Sequence, residues 1–268
     1  MPDIVSTAYS EVRAAVSPDG NTVLWGSTDR PGGPGGWDIW MVRRAHGVWS
    51  SPAPVPFDTT YKEFDPAFSA DGRSVWFFSN RPGGFGGDDI YRVDFDPHSG
   101  RFGKIEHPDD AINSAGDEWA PSPSPDGRHL LFATNGRGGS GRHDLFVSEW
   151  RDGAWQSAAA LPGEVNSADD DFDATYIDSG RALVFARSAD VDNQPIELWM
   201  ATRDSDGTYR HAKPLDRRVN VAGSWTLGPA EDLSRPGTLL FSARRPEAQR
   251  GKSDIYAIRL NVQAQRQP

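Results

Sequence analysis

Ser17-Pro18-Asp19-Gly20, Ser69-Ala70-Asp71-Gly72 and Ser124-Pro125-Asp126-Gly127 are three copies of one turn, and two weaker copies follow at Ile177-Asp178-Ser179-Gly180 and Ser234-Arg235-Pro236-Gly237. Their glycines stand 52, 55, 53 and 57 residues apart. A near-constant period of this length marks a chain built from one supersecondary unit. Five units are predicted.

Each turn leads into a short apolar run: Val23-Leu24-Trp25, Val75-Trp76-Phe77-Phe78, Leu130-Leu131-Phe132, Leu183-Val184-Phe185 and Leu239-Leu240-Phe241. Runs of this length between turn residues read as strands covered on both faces. A further strand opens on an acid and two apolar residues in every unit: Asp38-Ile39-Trp40, Asp89-Ile90-Tyr91, Asp144-Leu145-Phe146, Glu197-Leu198-Trp199 and Asp254-Ile255-Tyr256. An outer strand carries Trp49, Phe102, Trp155 or Tyr209, and the fifth unit lacks one. Residues 2–7 resemble the outer-strand segments Pro52-Ala53-Pro54-Val55 and Leu161-Pro162-Gly163-Glu164-Val165, so they are expected to complete the last unit. The expected fold is all-β, a five-bladed β-propeller of four-stranded antiparallel blades whose ring is closed by the N-terminal strand, which removes open sheet edges. A single domain over 1–268 follows, with blades near 11–55, 63–108, 118–165, 171–219 and 225–260 plus 2–7. Two β-sandwiches would also give evenly spaced strands, but not one four-stranded unit five times over.

Composition narrows the function. A formal charge of −10 over 268 residues opposes a nucleic-acid partner or an anionic membrane surface. No apolar run is long enough to insert in a membrane. The start Met1-Pro2-Asp3-Ile4-Val5 has no signal-peptide pattern, and the absence of cysteine excludes thiol chemistry and thiolate metal sites. Cations, sugars or basic peptides fit this charge better.

The stretches Phe64-Asp65-Pro66-Ala67-Phe68-Ser69-Ala70-Asp71-Gly72 and Ser79-Asn80-Arg81-Pro82-Gly83-Gly84-Phe85-Gly86-Gly87-Asp88-Asp89-Ile90-Tyr91 resemble the WD-like propeller repeat of TolB-like proteins. The resemblance implies a periplasmic binding scaffold. It covers nearly the whole chain, with five units here against the six-bladed propeller and separate N-terminal domain of TolB.

The longer loops fall on one face, and ligand binding is expected there. Two of them are glycine-rich, Arg30-Pro31-Gly32-Gly33-Pro34-Gly35-Gly36 and Arg81-Pro82-Gly83-Gly84-Phe85-Gly86-Gly87, and a third is shorter at Arg137-Gly138-Gly139-Ser140-Gly141. Because a strand follows each, a phosphate cradle is disfavoured, and Arg30, Arg81 and Arg137 are expected to pair with Asp38, Asp89 and Asp144. Nine residues before each turn glycine stand Glu11, Glu63, Glu118 and Asp171, with Gly228 in the fifth unit. This register predicts a ring of carboxylates near the channel mouth, which either caps loop amides or recruits a cation, calcium being the best match. Asp169-Asp170-Asp171-Phe172-Asp173 lies nearby but lacks the glycine and distant glutamate of a calcium loop.

No catalytic signature is visible, and the leading expectation is a non-catalytic binding or scaffold propeller taking a protein or carbohydrate ligand on the loop-rich face. The binding candidates are Glu11, Glu63, Glu118, Asp171, Asp173, Arg30, Arg81, Phe85 and Trp119. The alternative is a glycoside-hydrolase-like enzyme drawing its two carboxylates from Glu63, Asp65, Glu118, Asp171 and Asp173. A lectin-like module would instead stack sugars on Trp37 or Trp119.

Overall fold

The computed structural model describes residues 4–245 and 251–262. Five antiparallel sheets succeed one another along the chain. Blade one comprises β1 Glu11–Val16, β2 Thr22–Ser27, β3 Asp38–Ala45, β4 Val48–Trp49 and β5 Ala53–Pro54, and blade two comprises β6 Glu63–Phe68, β7 Ser74–Ser79, β8 Asp89–Asp96 and β9 Arg101–Glu106. Blade three holds β10 Glu118–Pro123, β11 His129–Thr134, β12 Asp144–Arg151, β13 Ala154–Trp155 and β14 Ala159–Ala160. Blade four holds β15 Asp170–Ile177, β16 Ala182–Ser188, β17 Glu197–Arg203 and β18 Tyr209–Pro214, and blade five holds β19 Trp225–Glu231, β20 Thr238–Arg244 and β21 Asp254–Arg259.

The Ser-x-Asp-Gly turns fold by local chemistry. Ser17 Oγ donates to Asp19 and accepts from Thr22 N, while Gly20 N donates to the Ser17 carbonyl at 2.8 Å. The same bonds recur at Ser69, Asp71 and Ser74 and at Ser124, Asp126 and His129. The glycines adopt φ of 69°, 67° and 70°, a region that penalises any side chain.

Packing follows the apolar runs. The second strand of every blade is buried, and its central aromatic pairs directly across the ladder: Trp25 with Trp40, Phe77 with Tyr91, Phe132 with Phe146, Phe185 with Trp199 and Phe241 with Tyr256. Each such ring contributes roughly 1.5–3 kcal/mol through burial.

Every inner strand contains a β-bulge, with the register shifting after Val12, Phe64, Trp119, Phe172 and Leu227. The bulge residues Arg13, Asp65, Ala120, Asp173 and Gly228 all have positive φ, between 48° and 59°. A bulge of this kind re-aims one side chain out of the pleat. Here it aims it at the axis.

Adjacent blades are joined by one repeated bond. Glu63 N donates to Trp37 O, Glu118 N to Asp88 O, Asp171 N to His143 O, Thr226 N to Ile196 O and Glu11 N to Ser253 O, at 2.7–3.0 Å. The last of these closes the ring, with β1 lying against β19. The segment before β1 reinforces the closure: Val5 is buried with Leu240 and Ile255, and Ile255 N donates to Ser6 Oγ at 3.2 Å. Residues 4–7 run beside β21 as a turn, so the ladder of blade five has three strands among the described residues. Residues 2 and 3 of the expected outer strand lie outside the described ones.

Candidate functional site

The glycine-rich loops are latches between blades. In blade one, Gly35 N and Gly36 N donate to the Asp38 carboxylate; in blade two, Phe85 N and Gly86 N donate to Asp89; in blade three, Gly141 N donates to Asp144. The loop is thereby pressed against the next inter-blade segment. A Cβ on Gly35, Gly86, Gly141 or Gly251 would collide with the carbonyl of Tyr61, Gly116, Asp169 or Tyr9. With these aspartates occupied by amides, the arginines go elsewhere, which corrects the expected Arg–Asp pairs. Arg30 lies over Trp40 at 4.4 Å, Arg81 over Tyr91 at 4.9 Å while bonding Glu63 at 3.0 Å, and Arg137 donates to the carbonyls of Asp110 and Asn113.

The four acids at the head of the inner strands are fully buried, and each is turned into its own blade. Glu11 accepts from Thr7 N and Oγ1, Glu63 from Thr59 N and Oγ1, Glu118 from Ser114 N and Oγ, and Asp171 from Ser167 N and Oγ. Ser79, Thr134 and Arg187 add donors to Glu63, Glu118 and Asp171. Burial nonetheless raises the pKa of Glu118 and Asp171 and pushes Glu11 up to about 7. The equivalent position in blade five is Thr226, not Gly228, as its bond to Ile196 O shows. Blade five places its turn glycine later, so counting back from Gly237 lands on the bulge.

The side chains that meet at the axis come from the bulges, two residues further on. Arg13, 1% exposed, crosses from blade one to donate through Nη2 to the carbonyls of Ala120, Pro121 and Ala174 in blades three and four. Asp65 and Asp173 face it from blades two and four. Burial and the Asp173 charge raise the pKa of Asp65 well above the usual carboxylate range, and burial raises that of Asp173, both opposed by Arg13. Gly228 N donates to Asp173 at 3.0 Å, and no side chain would fit there beside the Arg13 backbone. Next to this charged level, Val12, Phe64 and Phe78 pack with Trp119 and Leu227. From the turn face an axial cavity of about 180 Å³ reaches Arg13 between Pro18, Ala70, Pro125, Ser179 and Pro236.

On the loop-rich face, Trp37, Tyr61 and Phe85 are 40%, 43% and 48% exposed. The Lys62 ammonium lies 5.1 Å above the Trp37 ring and 3.4 Å from Asp88. Trp119, expected as a surface binder, is half-buried: its Nε1 donates to Asp88 at 3.0 Å and its ring stacks on His143 at 4.3 Å. His143 in turn meets Asp170 at 3.1 Å, which also binds Arg142. His143 was not legible in the sequence, because Trp119 lies 24 residues away in the same blade and Asp170 belongs to the next. The acidic run 169–173 is divided among separate roles: Asp170 serves Arg142 and His143, Asp171 the inter-blade loop and Asp173 the axis. Among the described residues, no three acidic or histidine side chains converge as a metal cluster does.

The class these features define is a five-bladed propeller with a filled axis. No protein-family model matches the chain, and none of the curated proteins matches it. Its fold is similar to those of solved propellers. A thermostable family-43 glycoside hydrolase superposes with a TM-score of 0.62 at 10% identity, covering 97% of this chain and 92% of that one. The endo-arabinase from Bacteroides thetaiotaomicron gives 0.59 at 10% identity, covering 97% and 96%. A putative TolB from Agrobacterium tumefaciens gives 0.55 at 14% identity, covering 93% and 82%. Identities this low carry the fold alone.

Proposed function

We propose that this chain is a non-catalytic binding propeller that takes a protein ligand on the loop-rich face. The observation that carries the reading is the exposure of three large rings on the loop-rich face, each 40–48% exposed: Trp37 and Tyr61 at the junction of blades one and two, and Phe85 beside His107 where the blade-two loop meets blade three. Aromatic anchors of this kind dominate protein interfaces. Lys62 and Asp88 beside them add a charged rim. In contrast, the repeated acids are saturated by their own loops, which leaves them poorly placed for acid–base chemistry. The test is capture of proteins from lysate by the immobilised chain. Trp37→Ala with Phe85→Ala should abolish capture at an unchanged melting temperature, and Asp126→Ala on the opposite face should not. Equal capture by all three proteins overturns the reading.

A glycoside-hydrolase-like enzyme is the second reading, favoured by a specific observation. Asp65 and Asp173 bring two carboxyls to the axis, and the Asp173 charge helps to keep the Asp65 proton on; glycoside hydrolysis pairs one protonated carboxyl with one ionised carboxylate. The likeness in fold to family-43 enzymes, over nearly the full length of both chains, supports it. Turnover of an aryl arabinofuranoside, lost in Asp173→Asn without unfolding, would establish it. Calcium at the inner-strand acids is a weaker proposal, since their oxygens already accept hydroxyl and amide donors. It requires a melting temperature that rises with calcium and a Glu118→Gln variant that no longer responds.

A further inference from the structure

Between blades two and three, on the side of the Asp-Gly turns, lies a groove of about 720 Å³ that the sequence did not single out. Three indoles line it. Trp76 forms the floor from β7 and is almost fully buried; Trp155, from β13, meets it edge-on with centroids 5.6 Å apart; Trp150, from β12, meets Trp155 at 5.2 Å and leaves 45% of its surface in solvent. Arg92 and Glu106 form one rim and Asp126 and His129 the other.

Trp155 is the recurring outer-strand aromatic, but the scaffold does not require the other two indoles, Trp76 and Trp150. Counted from the turn glycine, the position of Trp76 is filled in blades one, three and four by Leu24, Leu131 and Val184. Counted from the acid that opens the third strand, the position of Trp150 is filled by Arg44, Phe95, Arg203 and Leu260. The aromatic cluster is therefore a departure from the repeat, confined to one inter-blade cleft. Leaving Trp150 half in water forgoes burial that the aromatic Phe95 obtains at the same position in blade two.

The rim charges are mutually paired. Arg92 Nη1 lies 3.0 Å from Glu106 and 2.9 Å from Asp94, and His129 lies 3.7 Å from Asp126. An uncharged ligand with many hydroxyls suits such a rim, since Glu106 and Asp126 can accept from it and Arg92 can donate to it. The Trp150 ring offers a flat apolar surface for a C–H face, and the volume is in the range of about 300–1,000 Å³ usual for small-ligand sites. We infer that this groove is a binding site for a neutral saccharide of about two sugar units, separate from the loop-rich face.

The probes are cellobiose, xylobiose, arabinobiose and chitobiose, titrated into the full chain while tryptophan fluorescence and heat are recorded. At least one should give a saturable signal. Trp150→Ala should weaken it tenfold or more, Trp150→Phe by less, and Arg92→Gln several-fold, all with unchanged melting temperatures. Trp37→Ala should bind as the parent does, so failure of the loop-face reading leaves this one standing. The inference is overturned if none of the four saturates, if Trp150→Ala binds normally, or if a proline-rich peptide binds the groove and the sugars do not.

Discussion

Two sets of acids occupy the same inner strands two residues apart, and they live by different rules. Glu11, Glu63, Glu118 and Asp171 repeat from blade to blade, and each is enclosed by hydroxyl and amide donors of its own loop. Asp65 and Asp173 do not repeat: the same bulge position holds Arg13 in blade one, Ala120 in blade three and Gly228 in blade five. In this molecule repetition marks architecture, and departure from repetition at the bulge marks where charged side chains meet in the interior.

Glu118 belongs to the repeating set. Glu118→Ala strands the donors of Ser114 and Thr134 in the interior and should cost about 3 kcal/mol, at about 1–3 kcal/mol for each buried unsatisfied group. Urea unfolding measures it. A loss below 1 kcal/mol would mean that the acid is dispensable to the scaffold. Glu118→Gln should cost less, because Thr226 already fills the equivalent place without a charge.

Asp58 sharpens the comparison from the other side. Asn113, Asn166 and Asn220 each bond both backbone groups of the strand-three residue beside them, Ile90, Leu145 and Leu198. Asp58 stands in the same place in blade one beside Ile39, but its buried oxygens make no well-formed hydrogen bond there, and the contact with Ile39 N only partly offsets the burial. Burial pushes its pKa up to about 9. Because the folded protein holds this proton and the unfolded chain releases it near pH 4, stability falls as pH rises from about 4 to about 9. Asp58→Asn should raise stability at pH 8 by about 1–3 kcal/mol and flatten the pH dependence in that window. A variant no more stable than the parent at pH 8 would contradict this account.

The smallest effect belongs to the bulge itself. Ala120 sits at φ 50°, where a Cβ is strained by about 1 kcal/mol. Ala120→Gly should therefore melt about 2–4 °C higher, the usual conversion for a domain of this size. A lower melting temperature would show that the Ala120 methyl contributes more to packing than its backbone strain costs.

How much of this was legible in the residues depended on the distance over which each interaction acts. The Ser-x-Asp-Gly turns could be read because serine, aspartate and glycine bond within five residues of one another. Arg81 could not be assigned, because its partners Glu63 and Tyr91 lie in different strands while the nearer Asp89 is taken by loop amides. The bulge left no trace in composition, and four of its five residues are not glycine. It moved the axis from Glu63 to Asp65. The groove was not legible, because Trp76 and Trp150 each occur once at their place in the repeat and lie 74 residues apart, while Trp155 is the ordinary outer-strand aromatic.

Arg13 has one more consequence. Its guanidinium ties blade one to blades three and four across the centre, with an apolar layer packed beside it, so among the described residues side chains occupy the middle of the axis. The loop-rich end and the turn end meet at this buried crosspiece. A protein on the loop-rich face and a saccharide in the turn-side groove, as proposed above, would then sit at opposite ends of the axis and be held without competing for one site.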